Sequence, residues 1–230
     1  MYGHEPPDLN IANMPNINLP SLETLNLSSA LPSAGSIMSK LTCPSLQSLE
    51  FFCHTMSGNE SILAVSSVLG PSESNLVSLQ LRVTRLGFDQ QVFNSLLFSH
   101  PRLRKLELSH YLVSYHTLDI LKFEEDTNAI CTCPELELFT LITHGRSGER
   151  KLRDARFVRA LTDMVLSRRR NIASRESNRK TLNTLCFADY ESHHKYQIGA
   201  YPIPEYLSQQ LAPAISEGLQ VVCEIRSYSK

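Results

Sequence analysis

The sequence shows neither the pattern of a signal peptide or membrane-spanning helix nor the cysteine content of a disulfide-stabilised protein. Its first residues show no basic stretch followed by an apolar one, and no apolar run approaches the ~20 residues of a membrane-spanning helix. Its six cysteines are thinly spread over a chain long enough to bury a substantial core, which favours reduced thiols. We therefore expect an intracellular protein, cytoplasmic or nuclear, without a membrane partner.

Signatures of catalysis are also missing. The 9 glycines form no phosphate-binding loop, and neither a G-x-S-x-G elbow nor an H-E-x-x-H motif occurs. Cys131 and Cys133 are too close in sequence for a zinc knuckle, and His193-His194 is more typical of a solvated loop than of a metal site. The sequence predicts a protein that is not an enzyme and has no cofactor or metal. A metal-dependent enzyme at His193 and His194 is an alternative.

Leucine, in contrast, is abundant, with 34 of the 230 residues. One phrase recurs, Leu-x-x-Leu-x-Leu or a variant with Phe, and proline often stands two residues before it, where it suits a turn leading into a strand. The six copies begin at Leu22, Leu46, Leu76, Leu103, Leu136 and Leu182. Because the later apolar positions alternate with polar ones, each copy predicts a strand. The predicted strands lie near residues 22–28, 46–52, 76–82, 103–109, 136–142 and 182–188, with a possible last strand at 219–225.

Segments with helical spacing lie between most of these strands. A unit of one strand and one helix cannot bury its leucines alone, so neighbouring units must stack. We predict an α/β fold, an irregular leucine-rich-repeat solenoid that is curved, with a parallel sheet on the concave side and helices on the convex side. Residues 18–230 form this domain and residues 1–17 an N-terminal extension or weak cap. The alternative is a doubly wound α/β domain, but the polar residues at alternate strand positions favour a sheet with one solvated face.

These motifs resemble leucine-rich repeats of the irregular, long-unit kind. The recurring Pro-x-Leu-x-x-Leu-x-Leu, together with the segment at 157–170, is similar to the C-terminal region of the divergent F-box proteins of mushroom-forming fungi. The resemblance implies a repeat surface that holds a target protein while an F-box binds the Skp-type adaptor of a cullin ubiquitin ligase. No F-box is visible before Leu22, so that adaptor is expected only if an F-box lies upstream.

The polar side of the predicted strands is the expected binding surface for a protein partner. Its character changes along the array from polar and charged to mostly apolar. The apolar end is either an exposed contact surface or is covered by the long fifth-to-sixth connection or by the C-terminal segment. The candidate partner-binding residues are Phe52, Arg82, Lys105, Glu107, Leu138 and Ile142.

Charge is strongly polarised within a chain of formal net charge -1. Residues 146–180 contain twelve Lys or Arg and four acidic residues, a charge of +8, which leaves -9 on the remainder. This segment is either a solvated helix with a basic tail or a surface for an acidic partner or nucleic acid. The candidate basic patch is Arg156, Arg159, Arg168, Arg169 and Arg170. Without an interleaved aromatic platform, nucleic acid is the less favoured partner.

The predicted function is therefore a non-catalytic protein-interaction module. The alternative is a binder of nucleic acid or an anionic partner through residues 146–180.

Overall fold

The structure of the protein is a computed structural model, which describes residues 14–29, 34–53, 58–69, 75–83, 89–123, 132–143, 145–170, 180–190 and 205–226. The strands are β1 Ile17–Asn18, β2 Thr24–Ser29, β3 Leu41–Thr42, β4 Ser48–Cys53, β5 Ser78–Val83, β6 Lys105–Ser109, β7 Leu138–Thr143, β8 Thr184–Tyr190 and β9 Gln220–Arg226. The helices are α1 Ala34–Met38, α2 Gly58–Leu69, α3 Gln90–Phe98, α4 Tyr115–Ile120, α5 Gly145–Arg153, α6 Ala155–Arg170 and α7 Glu205–Ser216.

Seven strands form one sheet in the order β2-β4-β5-β6-β7-β8-β9, and every neighbouring pair is parallel. The predicted α/β fold with a parallel sheet is confirmed. A doubly wound domain is incompatible with this order, because its strand order reverses at a switch point. Each of the seven strands begins and ends within two residues of its predicted position.

Proline turns lead into four of the strands. The backbone N–H of Leu22, Leu46, Leu103 and Leu136 donates to the carbonyl three residues earlier, at 3.1–3.2 Å. In each of these turns proline is the second residue, where its fixed φ favours the turn and its missing N–H costs no hydrogen bond. The Pro-x-Leu phrase is thus the sequence of a β-turn that delivers the first leucine to the core.

A backbone ladder then sets the register of each strand from the strand before it. The carbonyl of Glu23 accepts hydrogen bonds from the backbone N–H groups of Gln47 and Ser48, at 2.8 and 3.0 Å. The same double acceptance recurs at the carbonyls of Gln47, Val77, Arg104 and Glu137. All five acceptors directly follow the first leucine of a motif, so equivalent residues of successive motifs occupy equivalent places.

The core lies on one face of this sheet. Motif residues such as Leu79, Leu106 and Phe139 are 0% exposed and pack in one cluster with buried side chains of α2, α3, α4, α6 and α7. Helix α6 contributes Phe157 and Leu161, which are four residues apart and therefore lie on one side of the helix. Because the helices share one cluster, they cover the same face. Among the described residues, no helix has the length and apolar character needed to cross a bilayer.

Side-chain caps fix where several helices begin and end. The Asp89 carboxylate accepts from the backbone N–H of Gln91 at the start of α3, and Ser114 with Thr117 forms a capping box at the start of α4. At the other end of the chain, α7 is followed by Gly218 at a φ of +96°. Only glycine adopts this conformation without strain, and it turns the chain directly into β9.

The sequence patterns did not predict α1, α5 or the small parallel sheet of β1 and β3. Helix α5 is almost wholly polar, so it has no apolar stripe to recognise. Its Gly148 lies against β7, where a Cβ would come 2.5 Å from the Cβ of Thr143. This close approach, which a sequence pattern does not reveal, explains how a polar helix packs there.

We predict that Leu106→Ala destabilises the protein by about 2–5 kcal/mol, because Leu106 is fully buried in the central strand β6. Leu25→Ala removes the same atoms from the first strand of the sheet, where the leucine is only half-buried, and its loss is expected to be clearly smaller. Urea denaturation measures both. Equal losses of stability in the two variants would contradict the conclusion that a motif leucine is buried most fully where strands flank its own strand on both sides.

Burial also changes the titration of His100, the first residue of the turn before β6. Its side chain is 2% exposed, and burial lowers its pKa from 6.5 to about 4. Protonation is therefore less favourable in the folded protein than in the unfolded chain.

The stabilising effect of neutral His100 should be fully present above pH 6.5 and should fall as the pH drops toward about 4. The free energy of unfolding should decrease by about 3 kcal/mol over this range. His100→Gln removes this titration, so its stability should decline less over the same range. Urea titrations from pH 7 to pH 4 on both proteins measure the difference, and parallel curves would show that His100 does not contribute.

Candidate functional site

The second face of the sheet carries the strand side chains that alternate with the core leucines, and we call it the strand face. Register aligns its residues in rows across the strands, for example Asn26, Glu50, Gln80, Glu107, Thr140, Cys186 and Val222. From β2 to β6 these side chains are mostly polar and half-buried or exposed. Solvated polar groups next to a rigid sheet can hydrogen-bond a partner without rearrangement of the backbone.

A hydrogen-bonded group joins the first strands of the face. The Glu50 carboxylate accepts from Asn26 Nδ2 at 2.7 Å and from Arg82 Nη2 at 2.6 Å, so it links β2, β4 and β5. The Arg82 guanidinium also lies 5.8 Å from the centre of the Phe52 ring. Phe52 is only 7% exposed, so the prediction that it is an exposed contact residue was wrong. The neighbouring Arg82 offers one physical reason, since the guanidinium extends over the ring.

A second ionic group lies over the later strands. Arg226 of β9 pairs with Glu224 on its own strand and with Glu107 on β6. Two strands lie between β6 and β9, so the side chains of Arg226 and Glu107 meet above β7 and β8. Arg226 was not predicted as a site residue because the predicted last strand ends at 225, whereas β9 extends to Arg226 and brings it onto the same side as Glu224.

The apolar end of the strand face lies beneath this ionic group. Ile142, Cys186 and Ala188 form a small separate cluster, and Ile142 is 0% exposed. The prediction of Ile142 as an exposed contact residue was therefore wrong. Of the two possibilities for this end, coverage by the C-terminal segment agrees with the pairing of Arg226.

Cys186 shows how strongly this end is desolvated. Burial, with a hydrogen bond from its Sγ to Glu224 Oε1 at 3.3 Å, raises the pKa of the thiol to about 12. Only the thiolate is a good nucleophile, so Cys186 is a poor nucleophile at neutral pH.

The other predicted contact residues retain access to solvent. Lys105 is exposed at the start of β6, and Arg82, Glu107 and Leu138 are half-buried. The strand face thus offers a partner a polar and charged surface from β2 to β6.

Arg168 departs most from the predicted basic patch. It is 1% exposed, and its guanidinium donates to the carbonyls of Leu121, Thr132 and Cys133 at 2.6, 2.7 and 3.0 Å. The same group lies 4.6 Å from the centre of the Phe123 ring. Arg168 therefore joins the end of α6 to the chain after α4 and to the turn before β7.

Arg169 has a corresponding role one residue later. It is 4% exposed and donates to the carbonyls of Leu182 and Glu217, which ties α6 to the start of β8 and to the end of α7. The prediction that Arg168 and Arg169 face solvent was wrong. Three consecutive arginines at a helix end indicate a cationic terminus, but the carbonyls that Arg168 and Arg169 bind belong to other parts of the chain.

Other arginines of the basic segment do face solvent. Arg150 and Arg153 of α5 and Arg156 and Arg159 of α6 are exposed. The side chain of Arg170 lies outside the described residues, as do Arg175 and Arg179. Within the described part of the basic segment, these exposed arginines lie on α5 and α6.

Lys151 of α5 is turned inward instead. It donates to the backbone carbonyl of His110 and lies 5.0 Å from the centre of the Phe157 ring. Burial lowers the pKa of this amine to about 8. Lys151 thus holds α5 against the sheet and does not add to the exposed charge.

Within the described part of the chain, no three His, Cys, Asp or Glu side chains are grouped so that they could hold a metal ion. Cys133 is buried and donates to the carbonyl of Leu97. Cys131, His193 and His194 lie outside the described residues.

Comparison with known proteins gives no match to a family model, to a curated protein or to a solved structure.

We predict that Arg168→Ala destabilises the protein by about 3–5 kcal/mol, because three buried carbonyls lose a charged donor. Arg168→Lys keeps the charge but not the planar fork, so its loss should be intermediate. The matched control is Arg159→Ala, an exposed arginine of the same helix, which should change stability by less than about 0.5 kcal/mol. Urea denaturation provides the measurement. Similar stabilities for Arg168→Ala and Arg159→Ala would refute the structural role of Arg168.

Proposed function

We propose that the protein is a non-catalytic protein-binding module built as an irregular leucine-rich-repeat solenoid. The seven strands in chain order support this architecture. So do the two backbone hydrogen bonds accepted by the carbonyl of the residue that follows the first leucine of a motif. Both features are expected when one strand-and-helix unit is stacked repeatedly.

The binding surface of this module is the strand face between β2 and β6. The observation that carries the proposal is the solvated, polar character of this surface on a rigid backbone. Asn26, Ser28 and Lys105 are exposed there, and the ionic group around Glu50 is only partly buried. Arg82 and Glu107 remain candidate contact residues there, and Leu138, at the start of β7, borders this surface. Phe52 is buried within this part of the face, and Ile142 is buried in β7, outside it.

The resemblance to the repeat region of fungal F-box proteins extends this proposal to a specific role. On that resemblance, the module recognises the target protein of a ubiquitin ligase. Binding of a Skp-type adaptor requires an F-box upstream of the repeats.

The second candidate function is binding of nucleic acid or another anionic partner through the basic segment. The observation that favours it is the solvent exposure of Arg150, Arg153, Arg156 and Arg159 on two consecutive helices. Burial of Arg168 and Arg169 removes two of the five residues on which this function was predicted to rest. We therefore rank it second.

The experiment compares partner binding by two charge-changing variants. Lys105→Glu combined with Ser28→Arg alters the strand face at exposed positions, and we expect binding of the cellular protein partner to weaken by about tenfold or more. Arg156→Glu combined with Arg159→Glu alters the helix side and should leave that binding unchanged. Quantitative co-precipitation from the native cells, followed by a titration with the purified partner, gives the affinities.

Circular dichroism and urea denaturation confirm that both variants remain folded. Loss of binding only in the helix variant would contradict the proposed function and favour the second candidate. In that case, affinity for the anionic ligand should fall steeply as the salt concentration rises.

A further inference from the structure

A separate cleft lies at the edge of the sheet where the strands begin. It has a volume of about 430 Å³ and opens to solvent. The residues that line it are Gln47, Asn75, Val77, Arg102, Arg104 and Glu135. All six directly precede or follow the first leucine of a motif, so the cleft crosses the beginnings of β4, β5, β6 and β7.

Two arginines line this cleft, and each is hydrogen-bonded to one neighbouring side chain. Arg102 Nη1 donates to Asn75 Oδ1 at 2.9 Å, and Arg104 Nε donates to Glu135 Oε2 at 3.0 Å. A guanidinium has five N–H donors, so each arginine keeps donors for a ligand. With two positive charges and one negative charge, the lining carries a net charge of +1.

Backbone groups contribute little to ligand binding at this edge. The carbonyls of Gln47, Val77 and Arg104 already accept two hydrogen bonds each from the following strand. The groups left for a ligand are therefore side-chain donors, namely the two guanidinium groups and the amides of Gln47 and Asn75. Such a set selects for oxygen acceptors, and guanidinium groups match the geometry of carboxylates and phosphates.

The length of the cleft favours an extended ligand. Three inter-strand spacings of about 4.8 Å make it about 14 Å long, which is close to the length of four residues of extended peptide. A small anion would fill only a part of this space and would remain largely hydrated. An extended peptide can place carboxylates on both arginines and main-chain oxygens on the amides.

We propose that this cleft binds an extended acidic segment of a protein partner, with carboxylate side chains on Arg102 and Arg104. The proposal rests on the proposed protein-binding function and adds the chemistry of the partner to it. Lys105 follows Arg104 directly and is exposed at the start of the strand face. A partner bound on that face can therefore continue over this edge of the sheet into the cleft.

The test uses a fluorescent hexaglutamate peptide as the probe, with fluorescence anisotropy as the readout. The wild-type protein should bind it saturably, and a hexaglutamine peptide of equal length should not bind. Arg102→Ala combined with Arg104→Ala should weaken binding by about tenfold or more, because two charge-assisted contacts are lost. Arg156→Ala combined with Arg159→Ala makes the same change of charge on the helix side and should alter the affinity by less than about twofold.

Equal weakening by both double variants would show nonspecific attraction to positive charge and would overturn the proposal. Absence of saturable binding to the wild type would also overturn it. An oligouridylate that binds more tightly than hexaglutamate, and is lost in the Arg102 and Arg104 variant, would assign the cleft to nucleic acid instead of a protein. All of the substituted arginines are exposed, and urea denaturation verifies that the variants are folded.

This test is independent of the experiment on the strand face. Retained hexaglutamate binding in the Arg102 and Arg104 variant, with loss of the cellular partner in the Lys105 and Ser28 variant, would remove this proposal and leave the proposed function intact. The reverse pattern would retain the cleft as an acidic-peptide site and remove the strand face as the main contact.

Discussion

The constraint on which the structure depends is that no strand-and-helix unit can bury its own leucines. A motif leucine such as Leu106 is fully buried because β5 and β7 flank its strand and the helices cover it. Doubly accepting carbonyls enforce this mutual burial from β2 to β8 by placing each strand in the same register against the next. Proline turns then bring the first leucine of four motifs to equivalent places. Local sequence and long-range packing therefore agree, which is typical of sequences that specify a single fold.

Because the motifs are unequally spaced, one connection between strands is long, and the buried arginines hold it against the neighbouring units. The connection from β7 to β8 is much longer than the others and contains α5 and α6. Arg168 and Arg169 at the end of α6 bind backbone carbonyls of the neighbouring turns and helix ends, and so fasten this long connection to the units on either side. Planar guanidinium groups suit this task, since one side chain can satisfy several acceptors at once. Part of the positive charge that the sequence pattern assigned to partner binding therefore stabilises the fold.

Sequence reasoning succeeded where the cause is local and failed where it is not. The strands and most helices follow from the periodicity of the leucines and from the proline turns, so their positions were predictable. The burial of Phe52 and Ile142 was not predictable, because it depends on side chains of other strands, such as Arg82 next to Phe52 and the cluster of Cys186 and Ala188 around Ile142. In contrast, the alternation along its strand correctly predicted that Lys105 is solvent-exposed, since the environment of Lys105 depends mainly on its own strand. The cleft around Arg102 and Arg104 depends on four motifs together and has no signal in any one of them.

The contact between Arg226 and Glu107 has a consequence for how the molecule comes apart. In a sheet whose strands contact only their neighbours, the terminal strand can fray without disturbing the middle. Here 119 residues separate the two partners, and their contact passes over two intervening strands. Detachment of β9 therefore also releases a side chain of β6 and uncovers the apolar groups below. The contact therefore links the last strand directly to the middle of the sheet, so that loss of β9 also changes the surroundings of β6.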